Sequence, residues 1–307
     1  LDAMLEQLRQ AGPSPTLAHC YLTSAIAYER AAREGDAETA YARAIETANR
    51  IERPESVAEA RFERGLWQHR RGRSAEGESD VRAALEIARR IENKKLEMQA
   101  LNRLGIIHVE NSRLEQAAES YGAAREIAHA IGARATETTL SNNLANLHFF
   151  FFGNLTRAEQ VYLHSLEFFR ERNDVHSIAH ANGVLGLMYH AAGEHDAARR
   201  CFAQVREYAR LQKDRVTEAK AHMGLAFCPA PGANVDAIVD GYRIAIRQLR
   251  DAPSRATLSR TWVMLAGELM RSGLLVASAA ALRLAVWSLP ADAFSVLLFC
   301  RVLFPLS

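Results

Sequence analysis

Small and apolar residues recur along this chain in three columns that share one period. The first column is a small residue inside an apolar stretch: Ala25 in SAIAY, Gly65 in ERGLW, Gly105 in RLGII, Ala145 in NLANL, Gly186 in VLGLM, Gly224 in HMGLA and Ala266 in MLAGE. The steps between them are 40, 40, 40, 41, 38 and 42 residues. A second column follows 11 to 13 residues later, at Ala37, Gly77, Ala117, Ala158, Ala198, Ala237 and Ala277. The third lies four residues beyond, at Tyr41, Val81, Tyr121, Tyr162, Phe202, Gly241 and Ala281. Around the columns, apolar positions fall at helical spacing, as in AAESYGAAREIAHAIG, and nothing alternates with the period of two that a strand needs. Each unit therefore reads as two helices. Gly72, Gly153, Gly193 and Gly273 sit at the turn between them, and the NSR run at 111–113 replaces the glycine in the third unit. Glycines at one helical register each cost about 1 kcal/mol of helix propensity against alanine. Their recurrence at 65, 105, 186 and 224 implies close helix packing there.

Repeated helical hairpins predict an all-α array of about seven helix-turn-helix units. They are expected at 13–54, 55–94, 95–134, 135–175, 176–215, 216–253 and 254–290. Residues 1–12 read as a preceding or capping half repeat, and 291–307 as the first helix of a further, incomplete one. The 293–304 stretch is nearly all apolar and lacks a partner helix. A removed continuation, a neighbouring domain or self-association through Trp262–Leu306 is therefore expected.

LGxxH/Y in the first helix, a turn glycine, then AxxxYxxA in the second resembles the tetratricopeptide repeat, and Trp262-x2-Leu265-Ala266 is similar to its opening motif. The resemblance implies an α-solenoid, a right-handed superhelix. The family's usual unit is about 34 residues, so each helix here is expected to be about one turn longer. This longer variety resembles repeats of kinesin light chains, of bacterial quorum-sensing phosphatase regulators and of the sensor arms of signalling ATPases. Val81, Gly241 and Ala281 depart from the pattern, where an aromatic is usual. So does CPAPGAN at 228–234, whose two prolines are expected to shorten the first helix of the sixth unit.

In the family the first helices line a concave groove. Carried over with the small column as position 8, positions 2, 5, 6, 9, 12 and 13 face it. This places Asn102 and Arg103 there in the third unit, Asn142, Asn143, Asn146, Phe149 and Phe150 in the fourth, and His180, Gly183, Val184, Leu187 and His190 in the fifth. Asparagine amides both donate and accept, which suits a peptide backbone. Phe149 and Phe150 add aromatic area. The bland reading is that the asparagines satisfy neighbouring helices and the phenylalanines fill a seam. The run FFFF at 149–152 also holds one residue too many: Ala145 to Gly153 spans eight positions where neighbouring units have seven, so a bulge is expected at that turn.

Composition adds exclusions. Of 307 residues, 49% are apolar and 24% charged, which fits a folded chain. Lys+Arg is 38 against Asp+Glu 36, so no global field draws in nucleic acid. Cys20, Cys201, Cys228 and Cys300 form no CxxC pair, which suits a reducing, cytoplasmic setting. The chain opens on Leu1 without a signal peptide, so its natural start is expected to be missing. The apolar stretch from 273 to 306 is broken by Arg283, Arg301 and two prolines, so no membrane span is expected. Arg61, Arg64, Arg70, Arg71 and Arg73 interleave with Glu59, Glu63, Glu76 and Glu78 and read as a solvated face of i,i+4 pairs. His176 and His180 share a helix face, and His190 and His195 follow across a turn; metal ligation needs further ligands, so neither metal nor cofactor is expected. His108 and His148 stand where other units have Tyr28, Tyr189 and Phe227, and read as packing residues. No GxSxG, GxxxxGK[ST] or GxGxxG occurs, so no enzymatic activity is expected. The leading expectation is a non-catalytic module that binds a protein or peptide segment. The alternative is the sensor or regulatory arm of a larger bacterial signalling protein, binding a small inducer or a partner domain.

Overall fold

The computed structural model describes residues 8, 10–151, 153–229, 232, 235–249, 265 and 281. Most of the 1–12 half repeat, most of the seventh unit with Trp262, and the 291–307 helix with its expected self-association surface lie outside the described residues. Among the described residues there are twelve helices and no strand: α1 Pro15–Arg30, α2 Glu34–Arg50, α3 Pro54–Arg70, α4 Ser74–Arg90, α5 Lys94–Glu110, α6 Leu114–Ala130, α7 Arg134–Phe150, α8 Leu155–Glu171, α9 Val175–Ala191, α10 His195–Gln212, α11 Arg215–Phe227 and α12 Val235–Leu249. The all-α repeat class is as the periodicity predicts. The chain forms two compact units, Leu1–Leu144 and Ala145–Ser307, with the division inside α7.

Eight of the helices are 17 residues long. Three-residue turns then give a phase of twenty, visible in the backbone: Ala32, Glu52, Gly72, Glu92, Ser112 and Gly132 all have positive φ, as do Asn173, Gly193 and Lys213 further on. At each such turn an N–H reaches back five residues to a helix carbonyl, as from Arg33 to Tyr28 (2.9 Å), Asn93 to Ala88 (2.9 Å) and Glu194 to Tyr189 (2.8 Å). This is the left-handed closure that spares the last helix carbonyls. One turn differs. After α7 the closing bond runs from Asn154 to His148, six residues back, and the positive φ moves to Gly153. The extra residue of the phenylalanine run is absorbed there.

The columns pack against one another. A Cβ on Gly105 would lie 2.5 Å from the Tyr121 ring, and one on Gly186 would lie 2.8 Å from the Phe202 ring. Phe202 is shared by two hairpins, since a Cβ on Gly224 would come within 2.4 Å of it. The small column is thus the notch that receives the third-column aromatic. Val81 departs where the crossing is tightest: with glycine at both 65 and 77, a Cβ on Gly65 would lie 2.8 Å from both the Gly77 carbonyl and a Val81 methyl, which leaves little room for a ring. At Gly241 the limit is Ala226, whose Cβ would be 2.8 Å away. In the first unit Tyr41, Trp67, Leu104, Ile107 and Val81 are fully buried. In the second, Tyr162, Leu185, Met188 and Tyr242 are.

The arginine cluster is corrected by the structure. Its partners are not i,i+4 neighbours but acids on other helices. Arg61 and Arg64 both bond Asp80, at 3.0 and 2.6 Å. Arg70 donates twice to Glu29 (2.7 and 3.0 Å), 41 residues away, and His69 meets Glu110 at 2.7 Å with the same offset. Arg73 to Glu38 recurs one period later as Arg113 to Glu78. A forty-residue repeat places equivalent positions side by side, so charges pair along the stack.

Candidate functional site

In the first unit the predicted inner positions are polar and crowded. Asn102 is half-buried and its Oδ1, shielded from water, has no hydrogen-bond partner among the described residues. Arg103 is half-buried within electrostatic reach of Arg70, Glu110 and Glu63. Burial raises the Glu63 carboxyl, a shift that Arg70 opposes. Asn142 is buried, and Asn143 is half-buried beside it at the end of this unit. His108 is buried, its Nδ1 3.3 Å from the Ser120 hydroxyl, as a packing histidine would be.

In the second unit the asparagine–phenylalanine stretch is tied into the fold. The Tyr162 hydroxyl donates to Asn146 Oδ1 at 2.8 Å. Phe149 packs on the core formed by Ala145, Ala158, Tyr162 and Leu166, and meets Phe150 edge-on at 4.8 Å. Phe152 lies outside the described residues.

Two turns further along the same unit the inner face opens. A cleft of about 500 Å³ lies among α9, α10 and α11. His180, Gly183, Val184 and Leu187 line it, four of the positions that the register places on the groove. Val205, Tyr208 and Met223 build the rest of its apolar wall. One edge is basic, with His176, His180 and Lys220. Desolvation by the walls, with Lys220 and His176 adding to it, holds the His180 pKa below the ordinary histidine value although its ring meets solvent. Asp214 is not free for a ligand, because it caps α11 through the Val216 and Thr217 amides (both 3.1 Å) and the Thr217 hydroxyl. Gly183 sits in the cleft floor with no atom within 4 Å of where a Cβ would stand. Tyr208 and Lys220 also line the cleft but fall outside the groove register, Tyr208 because it stands on a second helix. Lys220, four residues before Gly224, is at position 4 of the sixth unit, which that register does not place on the groove.

His190 points elsewhere. It stacks on Phe227 with ring centroids 3.8 Å apart and bonds the Cys228 sulfur, outside the cleft.

A family model described as tetratricopeptide repeat matches residues 136–210, from α7 into α10. Over that segment the chain is similar to tetratricopeptide repeats. Its helices superpose on the apo form of RapI with a TM-score of 0.75 at 16% identity, over 88% of this chain and 97% of that one. Aspartyl phosphate phosphatase F from Bacillus subtilis gives a TM-score of 0.72 at 14% identity, covering 89% of this chain and 70% of that one. NprR in complex with its cognate peptide NprX gives 0.61 at 12% identity, covering 81% of this chain and 72% of that one. Identities this low establish a shared fold. No curated protein matches the chain in sequence. No described helix is long and apolar enough to cross a membrane.

Proposed function

We propose that this chain is a non-catalytic peptide-binding module, and that its ligand occupies the cleft among α9, α10 and α11. The carrying observation is the combination at one place of an apolar trough, a basic edge and a floor glycine with space above it. An apolar trough with a few convergent polar groups is how ligand sites are commonly built. Lys220 on that edge favours a peptide bearing a carboxylate, whether a chain terminus or an acidic side chain, and His180 adds its charge only as pH falls. NprR, similar in fold, is recorded with a bound peptide, which supports the reading. The name of the Bacillus phosphatase denotes an activity, but a likeness at 14% identity transfers no chemistry. Within the first unit, taken by itself, Asn102, Arg103 and Asn143 form a separate polar candidate surface. Asn142, Asn146 and Phe149 serve the fold instead.

The test begins with a display selection of random peptides on the whole chain. Selected peptides are then titrated by fluorescence anisotropy against Gly183→Leu, which fills the trough from a position with room for it. We expect affinity to fall at least about tenfold, or about 1.4 kcal/mol, with folding unchanged. Affinity unaltered in Gly183→Leu refutes the cleft as the site. The alternative, that the array is the sensor or regulatory arm of a larger signalling protein, uses the same cleft and differs only in what occupancy controls.

A further inference from the structure

Between the fifth and sixth hairpins three metal-ligand side chains converge that belong to neither the cleft nor the repeat pattern. His190 lies in the last turn of α9, His195 opens α10 across the 192–194 turn, and Cys228 ends α11. Their ligand atoms all lie within 4.8 Å of one another. His190 Nδ1 is 3.1 Å from Cys228 Sγ, and the two imidazole centroids are 5.1 Å apart. A tetrahedral zinc ion, with bonds of about 2.3 Å to sulfur and 2.0–2.1 Å to nitrogen, needs ligand atoms separated by about 3.3–3.8 Å. The trio is already near that spacing, and His195, which is exposed, is the member with room to adjust.

We propose that His190, His195 and Cys228 form a zinc site, with the fourth position left to water. Binding is a ligand exchange. The Cys228 thiol gives up its proton to solvent as the sulfur–metal bond forms, and each imidazole contributes a neutral nitrogen. The surroundings suit the product. Cys228 is fully buried among Ala198, Phe202, Leu187 and Phe227, so the sulfur is kept from oxidants and competing thiols. On the outer side a solvent-open depression lined by Gly193, Glu194, His195, Asp196, Arg199 and Pro229 gives an ion access. Arg199 is engaged by Asp196 and by the Pro229 carbonyl (2.9 Å), so its charge is partly countered.

The consequence is structural. Helix α11 is only 13 residues long, cut short just before Pro229. The metal would clasp its end to the preceding hairpin's turn, 33 and 38 residues back in sequence, where the repeat's regular stacking is interrupted. Thus the CPAPGAN departure from the family pattern, which looks like damage to the repeat, supplies the third ligand.

The experiment uses the whole chain stripped by a chelator, with zinc alone titrated against a competing chromophoric chelator, and cobalt as the spectroscopic probe. We expect one zinc per chain, a thiolate-to-cobalt charge-transfer band, and a zinc-dependent rise in thermal midpoint. Cys228→Ser should abolish the band, and Cys228→Ser and His195→Ala should each weaken zinc at least tenfold. His195 is exposed, so its variant reports even if the buried Cys228→Ser fails to fold. The His176→Ala, His180→Ala double variant should bind zinc unchanged. A cobalt spectrum without a thiolate band overturns the proposal, as does zinc affinity lost only in the His176/His180 variant, or no binding.

Discussion

Gly105→Ala tests why the small column exists. On helix propensity alone the change stabilises by about 1 kcal/mol. The structure predicts the opposite sign. The new methyl would stand 2.5, 2.6 and 2.9 Å from three carbons of the Tyr121 ring, against an ordinary carbon contact of about 3.5–4.0 Å. Tyr121 is 4% exposed and has no free side to move into. Retreat of about 1 Å in such a core costs about 1–3 kcal/mol, for a net loss of up to about 2 kcal/mol. Gly122→Ala is the control, since no atom lies within 4 Å of its would-be Cβ on the same hairpin. It should gain up to about 1 kcal/mol, because only propensity acts. Urea unfolding followed by far-ultraviolet circular dichroism reads both variants, and Tyr121→Leu in the Gly105→Ala background should recover part of the loss. If Gly105→Ala proves as stable as Gly122→Ala, the notch-and-ring account of the period is wrong.

Three further outcomes follow from named contacts. Glu78 is held at about 2 by its hydrogen bond from Arg113, with Arg82 adding to it; because the folded pKa is depressed, the stabilisation is present above the ordinary carboxylate range and disappears as pH falls towards 2, so Glu78→Gln should cost roughly 1–3 kcal/mol at neutral pH and nothing near pH 2, read by denaturation across pH. Asp80→Ala removes a 4%-exposed carboxylate that two arginines share, and should destabilise by about 3 kcal/mol, while an exposed pair such as Arg243–Asp240 should cost less than about 1 kcal/mol on the same assay. An acidic peptide selected on the chain should bind more tightly as pH drops and His180 gains its proton, and that pH response should vanish in His180→Ala.

The fold was legible because stacking constrains residue size at every crossing. Glycine at 105 and tyrosine at 121 are two halves of one contact, so both recur with the hairpin. The count of eight between Ala145 and Gly153 revealed the inserted residue before the six-residue closure to His148 displayed it. Turn chemistry was less readable: Glu52, Glu92 and Lys213 adopt the left-handed backbone without being glycine, because the packed helices on either side offset the local cost. Ion pairing was misread for the opposite reason. The partners of Arg70, Arg71 and Arg73 are 41, 37 and 35 residues away, which a window along one helix does not see. The candidate site was legible by half. Register placed His180, Gly183, Val184 and Leu187 together, but the walls from α10 and α11 come from the other helix of the hairpin and from the next repeat. The asparagines looked like a ligand grip because their types suit one; Asn146 is instead taken by a tyrosine sixteen residues on.

Hydrogen–deuterium exchange of the whole chain, with and without a saturating selected peptide, probes the central claim most directly. Protection concentrated on the inner turns of α9 and α11, around His180, Gly183 and Lys220, is the predicted result. Protection confined to residues 142–150, with α9 and α11 unchanged, would contradict it.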